Sequence, residues 1–232
     1  MNRSVFITGG SGYIGRRLIP LLMKRGHKPK ALVRKGSEWK LPRGVPSVIG
    51  DALQIDSYTE EVLGADTFIH LIGVPHPSPA KAKQFRNVDL VSTKVAVKAA
   101  CDAAIRHFVY LSVAQPAPVM KAFIKVRHEG EQMIRAIGMS ATFVRPWYVL
   151  GPGHWWPYAI WPIYSILERL PATTESARRL GLITIGQMLN ALIWAIESPP
   201  SGIQIVDVPR IREFAATLRR NLAVGESARR SR

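Results

Sequence analysis

The stretch Thr8-Gly9-Gly10-Ser11-Gly12-Tyr13-Ile14-Gly15 indicates the fold of this chain. It follows an apolar run, Val5-Phe6-Ile7, and opens a helical pattern that runs from Tyr13 to Arg25. Glycines between a strand and a helix permit a tight turn, close approach of the backbone to a pyrophosphate and close packing of the helix on the strand. The helix N-terminus adds N–H donors and the positive end of the helix dipole. The stretch therefore predicts a dinucleotide-binding loop.

Beyond this loop, short β-branched runs alternate with longer helical patterns. Strands are predicted at 5–7, 31–33, 47–49, 67–72, 107–112 and 141–144, and helices at 13–25, 56–63, 82–105 and 121–137. Continuous apolar strands favour a parallel sheet that is covered on both faces. The predicted fold class is α/β, a Rossmann-type doubly wound parallel sheet with helices on both faces and a small C-terminal cap. Pro20 is expected to kink the first helix without breaking it.

The length of 232 residues allows one α/β domain with a small addition. We predict a nucleotide-binding domain at 1–150, an aromatic-rich cap at 151–208 and a basic C-terminal helix or tail at 209–232. Within the cap, the uncharged stretch from Leu180 to Ile196 is predicted to form a half-buried helix.

Composition excludes several classes of protein. Hydrophobic residues make up 47% of the chain, so a sizeable core is possible and a disordered body is excluded. The single cysteine, Cys101, excludes a disulfide framework and a cysteine-based zinc site. Histidines and acids show no metal-ligand spacing, so no metal is predicted. The chain opens on a strand and a glycine loop without a leader pattern, which predicts a protein that is either cytoplasmic or peripheral on the cytosolic face of a membrane.

The charge is strongly basic and clustered. Thirty-two Lys and Arg against sixteen Asp and Glu give a formal net charge of +16, a field that attracts phosphates and other anions. Residues 16–43 hold ten basic side chains and one acid, Glu38. The tail from Pro209 holds seven arginines. Because no zinc finger, RNA-binding signature or basic zipper accompanies this charge, nucleic acid is not predicted as a partner.

An uncharged aromatic stretch follows Arg145. Residues 146–167 contain no Lys, Arg, Asp or Glu, but four prolines make a continuous membrane-spanning helix an unfavourable interpretation. One interpretation is a cap over the end of the sheet. The other is that segment 147–167, together with the basic tail, docks on a protein partner or a membrane surface, where Trp and Tyr are favoured.

The end of the second strand bears on the choice between NAD and NADP. NAD-binding proteins commonly place an acid there, about 20 residues after the loop, to hold the ribose hydroxyls. Arg34 and Lys35 occupy that place here, and Arg16 and Arg17 follow the loop. Because cations replace the acid, we predict NADP as the cofactor, with NAD less favoured. The alternative is that these cations are a solvated basic face.

The glycine loop resembles that of the short-chain dehydrogenase/reductase superfamily, specifically its extended and atypical members, the NAD(P)-dependent epimerase/dehydratase-like proteins. Stretches that agree with this family in order are Gly50-Asp51, His70-Leu71-Ile72-Gly73, Asn87-Val88-Asp89, Phe108-Val109-Tyr110-Leu111-Ser112 and residues 145–153. The resemblance covers about residues 4–208. Together with the loop and the cations after the second strand, it implies the cofactor contacts Gly9, Gly10, Ser11, Gly12, Tyr13, Ile14, Gly15, Arg34, Lys35, Asp51, Ala52, Leu71, Gly73, Arg127, Pro146 and Val149.

The chain departs from this superfamily at its catalytic pair. The family uses Tyr-x-x-x-Lys after the fifth strand, where the lysine lowers a phenol pKa of about 10 so that the tyrosine exchanges a proton. Counting from Glu131, the equivalent positions are Phe123 and Arg127, neither of which is an ordinary acid–base group. The polarising serine falls near Val113, with Ser112 one place earlier. The resemblance thus implies that the usual chemistry is missing and leaves the catalytic residues unknown.

Other groups could replace the missing acid. The candidates on the same helix and in the aromatic stretch are His128, Glu129, Tyr148, His154 and Tyr158, each with a structural interpretation beside the catalytic one. In a shifted register, Lys125 would contact the ribose. Three functions remain open. The chain is expected to be a non-catalytic NADP(H)-binding accessory or assembly subunit, similar to the nucleotide-holding subunit of respiratory complex I. The alternatives are an atypical NADPH-dependent reductase of a flavin- or quinone-like acceptor, and an NADP redox sensor similar to the nitrogen-regulator-like members.

Overall fold

A parallel sheet of seven strands organises the protein, in a computed structural model that describes residues 2–153 and 179–214. The strand order is β3-β2-β1-β4-β5-β6-β9, and all six neighbouring pairs are parallel. The strands are β1 (Ser4–Thr8), β2 (Lys28–Val33), β3 (Ser47–Ile49), β4 (Thr67–His70), β5 (His107–Leu111), β6 (Ala141–Val144), β7 (Tyr148–Leu150), β8 (Leu182–Thr184) and β9 (Ile203–Val206). Because the order reverses at β1, the carboxyl ends of β1 and β4 form the crevice where such sheets bind ligands.

Helices connect these strands. They are α1 (Gly15–Lys24), α2 (Thr59–Val62), α3 (Ala82–Gln84), α4 (Val91–Asp102), α5 (Lys121–Ala136), α6 (Ile185–Glu197) and a last segment, α7, over residues 208–214. A π-helical turn, Phe85–Leu90, joins α3 to α4, so the long helix predicted at 82–105 is interrupted in its hydrogen bonding and ends at Asp102. Helix α1 continues through Pro20, in agreement with the prediction that this proline does not break it.

The two faces of the sheet carry different side chains. Phe6, Phe68 and Phe108 lie on one face and pack with residues of α2, α4 and α5. The ring centroid of Phe68 lies 5.3 Å from that of Phe6 and 5.1 Å from that of Phe108. Val5 and Val109 lie on the other face, among aliphatic residues of α1 and α6. Successive side chains of a strand point to opposite faces, so each strand contributes to both layers. The predicted doubly wound sheet with helices on both faces is confirmed.

The C-terminal part of the described chain differs from the prediction in detail. Residues 182–184 form β8, which pairs with β7, so the helix predicted from Leu180 begins only at Ile185. Thr184 caps that helix, because its hydroxyl accepts from the Gln187 N–H at 3.2 Å and the Gln187 side chain accepts from the Thr184 N–H at 2.7 Å. Strand β9 was not predicted. It lies beside β6, so part of the predicted cap belongs to the main sheet.

Several predictions concern residues outside the described ranges. His154, Tyr158 and most of the aromatic segment 147–167 lie there, as does the tail beyond residue 214. Among the residues that the structure describes, no helix combines the length and apolarity needed to cross a bilayer. In the same ranges, no three His, Cys, Asp or Glu side chains are grouped so that they could hold a metal ion.

Candidate functional site

The glycine loop is built so that several of its positions exclude a side chain. Gly9 has a φ of +77°, and its carbonyl accepts from the Gly12 N–H at 3.0 Å. A Cβ on Gly15 would lie 2.5 Å from the Gly9 carbonyl oxygen, and a Cβ on Gly10 would lie 2.8 Å from the Cβ of Ala31. A Cβ on Gly12 meets only the Gly9 carbonyl, at 3.1 Å. The loop is therefore a compact backbone cradle at the start of α1, which fits a pyrophosphate.

Residues from two other elements border this cradle. The Leu71 N–H donates to the Thr8 carbonyl at 3.1 Å, which brings the chain after β4 against the loop. The Arg17 guanidinium stacks 4.1 Å from the Tyr13 ring centroid and donates to the Tyr13 carbonyl at 2.8 Å. The Tyr13 hydroxyl lies where a Cβ on Gly151 would stand, at the end of β7. The loop, the β4 end and the β7 end thus meet at one edge of the sheet.

The residues predicted to hold the adenosine half come together beside β2. The Gly50 N–H donates to the Val33 carbonyl at 3.0 Å, so the chain after β3 lies next to the chain after β2. Asp51 accepts from the Leu53 N–H at 3.0 Å, and Ala52 packs against the aromatic face of the core. Arg34 and Lys35 are exposed directly after β2. Two exposed cations and a short turn therefore lie together beside the end of β2, where the adenosine half is predicted to bind.

Arg127 is buried, and its hydrogen bonds are made inside the protein. Its guanidinium donates to Asp89 at 2.6 Å, and to the carbonyls of Ile72 and Leu111 at 3.0 Å each. Burial raises the pKa of the Asp89 carboxyl, while the charge of Arg127 and the Val74 N–H act in the opposite direction. The arginine predicted to contact a ribose therefore ties the ends of β4 and β5 to the π-helical turn.

Phe123 stands one turn before Arg127 on α5. Its ring lies 5.0 Å from the Phe85 ring and 5.2 Å from the Arg127 guanidinium carbon. Gly73 packs directly against the same guanidinium, and a Cβ on Gly73 would clash with an Arg127 nitrogen. The predicted catalytic positions are thus adjacent in space, but they present an aromatic ring and a paired cation rather than a proton donor.

A second buried network, which was not predicted, lies beside this pair. Glu131 is 1% exposed and accepts from Ser112 at 2.6 Å, Gln115 at 3.1 Å and Arg145 Nε at 2.8 Å. The hydroxyl of Ser112 therefore donates its hydrogen bond to a structural carboxylate. Val113 is buried and has no polar side-chain group. The pairing of Glu131 with Arg145 joins α5 to the end of β6. Of these residues, the sequence indicated only Glu131, as the family position from which Phe123 and Arg127 are counted.

The remaining candidates are distributed around the same edge. Pro146 is buried and its carbonyl accepts from the Ala114 N–H at 2.9 Å, which joins the turns after β5 and β6. Val149 lies in β7, which ends beside Tyr13. His128 is exposed and contacts Gln115 at 3.2 Å through Nδ1, and Lys125 is exposed as well. Cofactor contacts by these residues stay predictions.

His70 belongs to a buried cluster of polar side chains below the crevice. Its Nδ1 lies 2.8 Å from the Thr8 hydroxyl, and Ser92 and Thr93 approach its Nε2 at 3.4 Å. Burial, with the nearby charge of Arg127 acting in the same direction, lowers the pKa of His70 to about 3. The ring is therefore neutral at physiological pH and serves to position β4 against β1 and α4.

These features define a nucleotide-binding protein with a Rossmann-type sheet. The model of the NAD(P)H-binding family matches residues 9–151, so the chain belongs to that family and binds NAD(P)H. The matched range extends from the glycine loop through the end of β7 and includes both Phe123 and Arg127.

Individual relatives agree with this assignment. The chain is 27% identical to a ceramide reductase of Caulobacter vibrioides, over 89% of its own length and 65% of the relative. It is 25% identical to a 4-hydroxy-2-methyl-3-oxo-4-farnesyl-3,4-dihydroquinoline-1-oxide ketoreductase of Stigmatella aurantiaca, over 63% and 50% of the two chains. This chain thus spans between half and two thirds of these relatives.

The fold matches solved structures of the short-chain dehydrogenase/reductase and epimerase/dehydratase group. The crystal structure of the Bordetella bronchiseptica enzyme WbmH in complex with NAD+ superposes with a TM-score of 0.67, covering 88% of this chain and 75% of that chain at 19% identity. The predicted superfamily resemblance is confirmed at the level of the fold.

Proposed function

We propose that this chain holds NADP(H) as a non-catalytic accessory or assembly subunit and does not reduce carbonyl groups by the tyrosine-dependent route of its superfamily. The pairing of Arg127 with Asp89 beside Phe123 carries this proposal. Bound NADPH would supply a hydride, but carbonyl reduction also needs a proton at the oxygen, and Phe123 has none to give. The Ser112 hydroxyl is engaged in a hydrogen bond to Glu131, so it does not replace the missing proton donor.

A second candidate is an NADPH-dependent reductase whose acceptor needs no protein acid, such as a flavin- or quinone-like ring. Both relatives are named reductases, which favours turnover of some acceptor over a purely structural role. The candidate is compatible with the glycine loop and with the absence of a tyrosine at position 123, because such acceptors take their proton from solvent. A redox sensor would bind the nucleotide at the same edge of the sheet without oxidising or reducing it.

Turnover separates these candidates. We expect NADPH to bind in calorimetry and its absorbance to stay constant with carbonyl acceptors, because Phe123 and Arg127 exchange no proton. Its absorbance is also expected to stay constant with flavin and quinone acceptors, because an accessory subunit turns over no acceptor. The control is Gly12→Asp, in which any NADPH oxidation by a contaminating enzyme persists. Oxidation with a flavin or quinone that Gly12→Asp abolishes would establish the reductase. Oxidation with a carbonyl acceptor would contradict both readings of the site.

We also propose NADP rather than NAD as the cofactor, on the strength of Arg34 and Lys35. In the double variant Arg34→Ala/Lys35→Ala, NADPH affinity is expected to fall about 10- to 100-fold, since hydrogen bonds to charged groups contribute about 1.5–3 kcal/mol. NADH affinity is expected to be unchanged. Lys24→Ala/Lys28→Ala removes the same charge from exposed positions at the other end of α1 and β2, and is the matched control. Equal losses of NADPH and NADH affinity would contradict the assignment.

The partner of such a subunit is proposed to contact segment 147–167 and the basic tail, and the protein is proposed to act in the cytoplasm or on the cytosolic face of a membrane. The support is the absence of charge in 146–167 and the seven arginines from Pro209 onward. Purification from the native cells in mild detergent, with identification of stoichiometric companions by mass spectrometry, tests this. A protein that is recovered alone would favour the reductase.

A further inference from the structure

A short segment between β2 and β3 presents an isolated tryptophan. Trp39 is 79% exposed, on the 3₁₀ turn Glu38–Lys40. Backbone hydrogen bonds hold this turn, from Ser37 to Arg34 at 2.9 Å and from Lys40 to Ser37 at 3.2 Å. Leu41 and Val45 follow and pack against the aliphatic core. We refer to residues 34–46 as the basic turn segment. Its anchoring fixes Trp39 on the outside of the protein.

Unpaired cations flank this tryptophan along the chain. Arg34, Lys35, Lys40 and Arg43 are exposed, and none of them forms an ion pair within the ranges 2–153 and 179–214. Some cations elsewhere on the surface do, as Arg25 does with Glu197 and Lys30 with Glu61. Lys40 Nζ lies 5.4 Å from the Trp39 ring centroid. The basic turn segment thus combines one exposed aromatic ring with four cations and a single acid, Glu38.

We propose that the basic turn segment docks on the surface of an anionic phospholipid bilayer. Tryptophan favours the boundary between headgroups and acyl chains, and lysine and arginine are attracted to anionic headgroups. The charge of the segment complements such a surface. A single apolar ring among cations differs from the apolar core that a protein partner would bury. This proposal shares Arg34 and Lys35 with the proposed NADP site, so it is tested at Trp39, Lys40 and Arg43, and it places the membrane contact at residues outside the aromatic segment 147–167.

Sedimentation with vesicles tests the proposal. The full chain is mixed with vesicles of equal parts phosphatidylcholine and phosphatidylglycerol, and with vesicles of phosphatidylcholine alone. We expect binding to the anionic vesicles only, weakened by salt. In Trp39→Ala/Lys40→Ala/Arg43→Ala the partition coefficient is expected to fall about 30-fold or more, since each cation near the surface contributes about fivefold. Because these three positions are exposed, the substitutions are expected to leave folding unchanged. NADPH binding, which is expected to be the same as in the unchanged chain, checks this.

A matched control separates a local contact from net charge. Leu63→Ala/Lys83→Ala/Lys94→Ala removes one exposed apolar side chain, which is 62% exposed, and two exposed cations elsewhere. This control is expected to bind vesicles as the unchanged chain does. As a second readout, brominated lipids are expected to quench tryptophan fluorescence less in Trp39→Phe than in the unchanged chain.

Three results would overturn the proposal. Equal losses in both triple variants would show that only net charge attracts the protein. Full binding by the Trp39 triple variant would place the contact elsewhere. No binding of the unchanged chain to anionic vesicles would assign the segment to another partner, such as an acidic protein.

Discussion

The variant Gly12→Asp is expected to bind NADPH at least about 100-fold more weakly than the unchanged chain, measured by calorimetry. A Cβ at this position meets only the Gly9 carbonyl, at 3.1 Å, so the side chain is accommodated with a small shift. Its carboxylate then stands at the start of α1, in the place of the pyrophosphate. Like charges brought together at a binding site cost several kcal/mol, which accounts for the loss.

Gly186→Asp is the matched control for this experiment. Gly186 is exposed in the first turn of α6, and a Cβ there meets only the Thr184 hydroxyl, at 3.8 Å. An acid in the first turn of a helix is favourable, so stability and NADPH affinity are expected to stay as they are. If Gly12→Asp retained its affinity, the nucleotide would have to bind away from the glycine loop.

The second large effect is expected on stability. Arg127→Met should lower the free energy of unfolding by about 3–5 kcal/mol in urea titrations, because removing one partner of a buried ion pair leaves the other charge uncompensated. The charge left behind is Asp89, which is fully buried and keeps only the Val74 N–H, at 3.0 Å, from the partners outside its own turn. The carbonyls of Ile72 and Leu111 lose a donor in the same change.

Two further variants show whether the ion pair is responsible. Asp89→Leu/Arg127→Met removes both charges and is expected to recover most of the lost stability. Arg106→Met breaks a pair with Asp66 in which the arginine is 78% exposed, so a loss of at most about 1 kcal/mol is expected. If the two single variants lost equal stability, burial of the Arg127–Asp89 pair would not matter.

Local patterns predicted the part of the protein that holds the nucleotide. The glycine loop, the first strand and the first helix follow from short-range rules, because the spacing of glycines and apolar residues is a property of the adjacent chain. The same rules located β1 to β6. Helix α1 also continues through Pro20, in agreement with the prediction that this proline does not break it, although it lies in the interior of the helix.

The parts that were missed depend on contacts distant in sequence. Strand β8 consists of three residues next to a helical pattern, and only its pairing with β7 makes it a strand. The roles of Arg127 and Arg145 were missed for the same reason, since Asp89 and Glu131 reach them from other elements. The sequence showed which side chains replaced the catalytic pair. The use of Arg127 as a buried ion-pair partner depends on packing, and no local pattern signals it.

Strand β9 is the last strand of the sheet to emerge during synthesis, yet it lies beside β6. Until Ile203–Val206 has left the ribosome, one edge of β6 has no partner, although all four residues of β6 are buried in the finished protein. Unpaired apolar edges invite association with other chains. The nascent protein therefore passes through a stage in which its nucleotide loop is already complete but its sheet is open, and chaperones have most to protect during that interval.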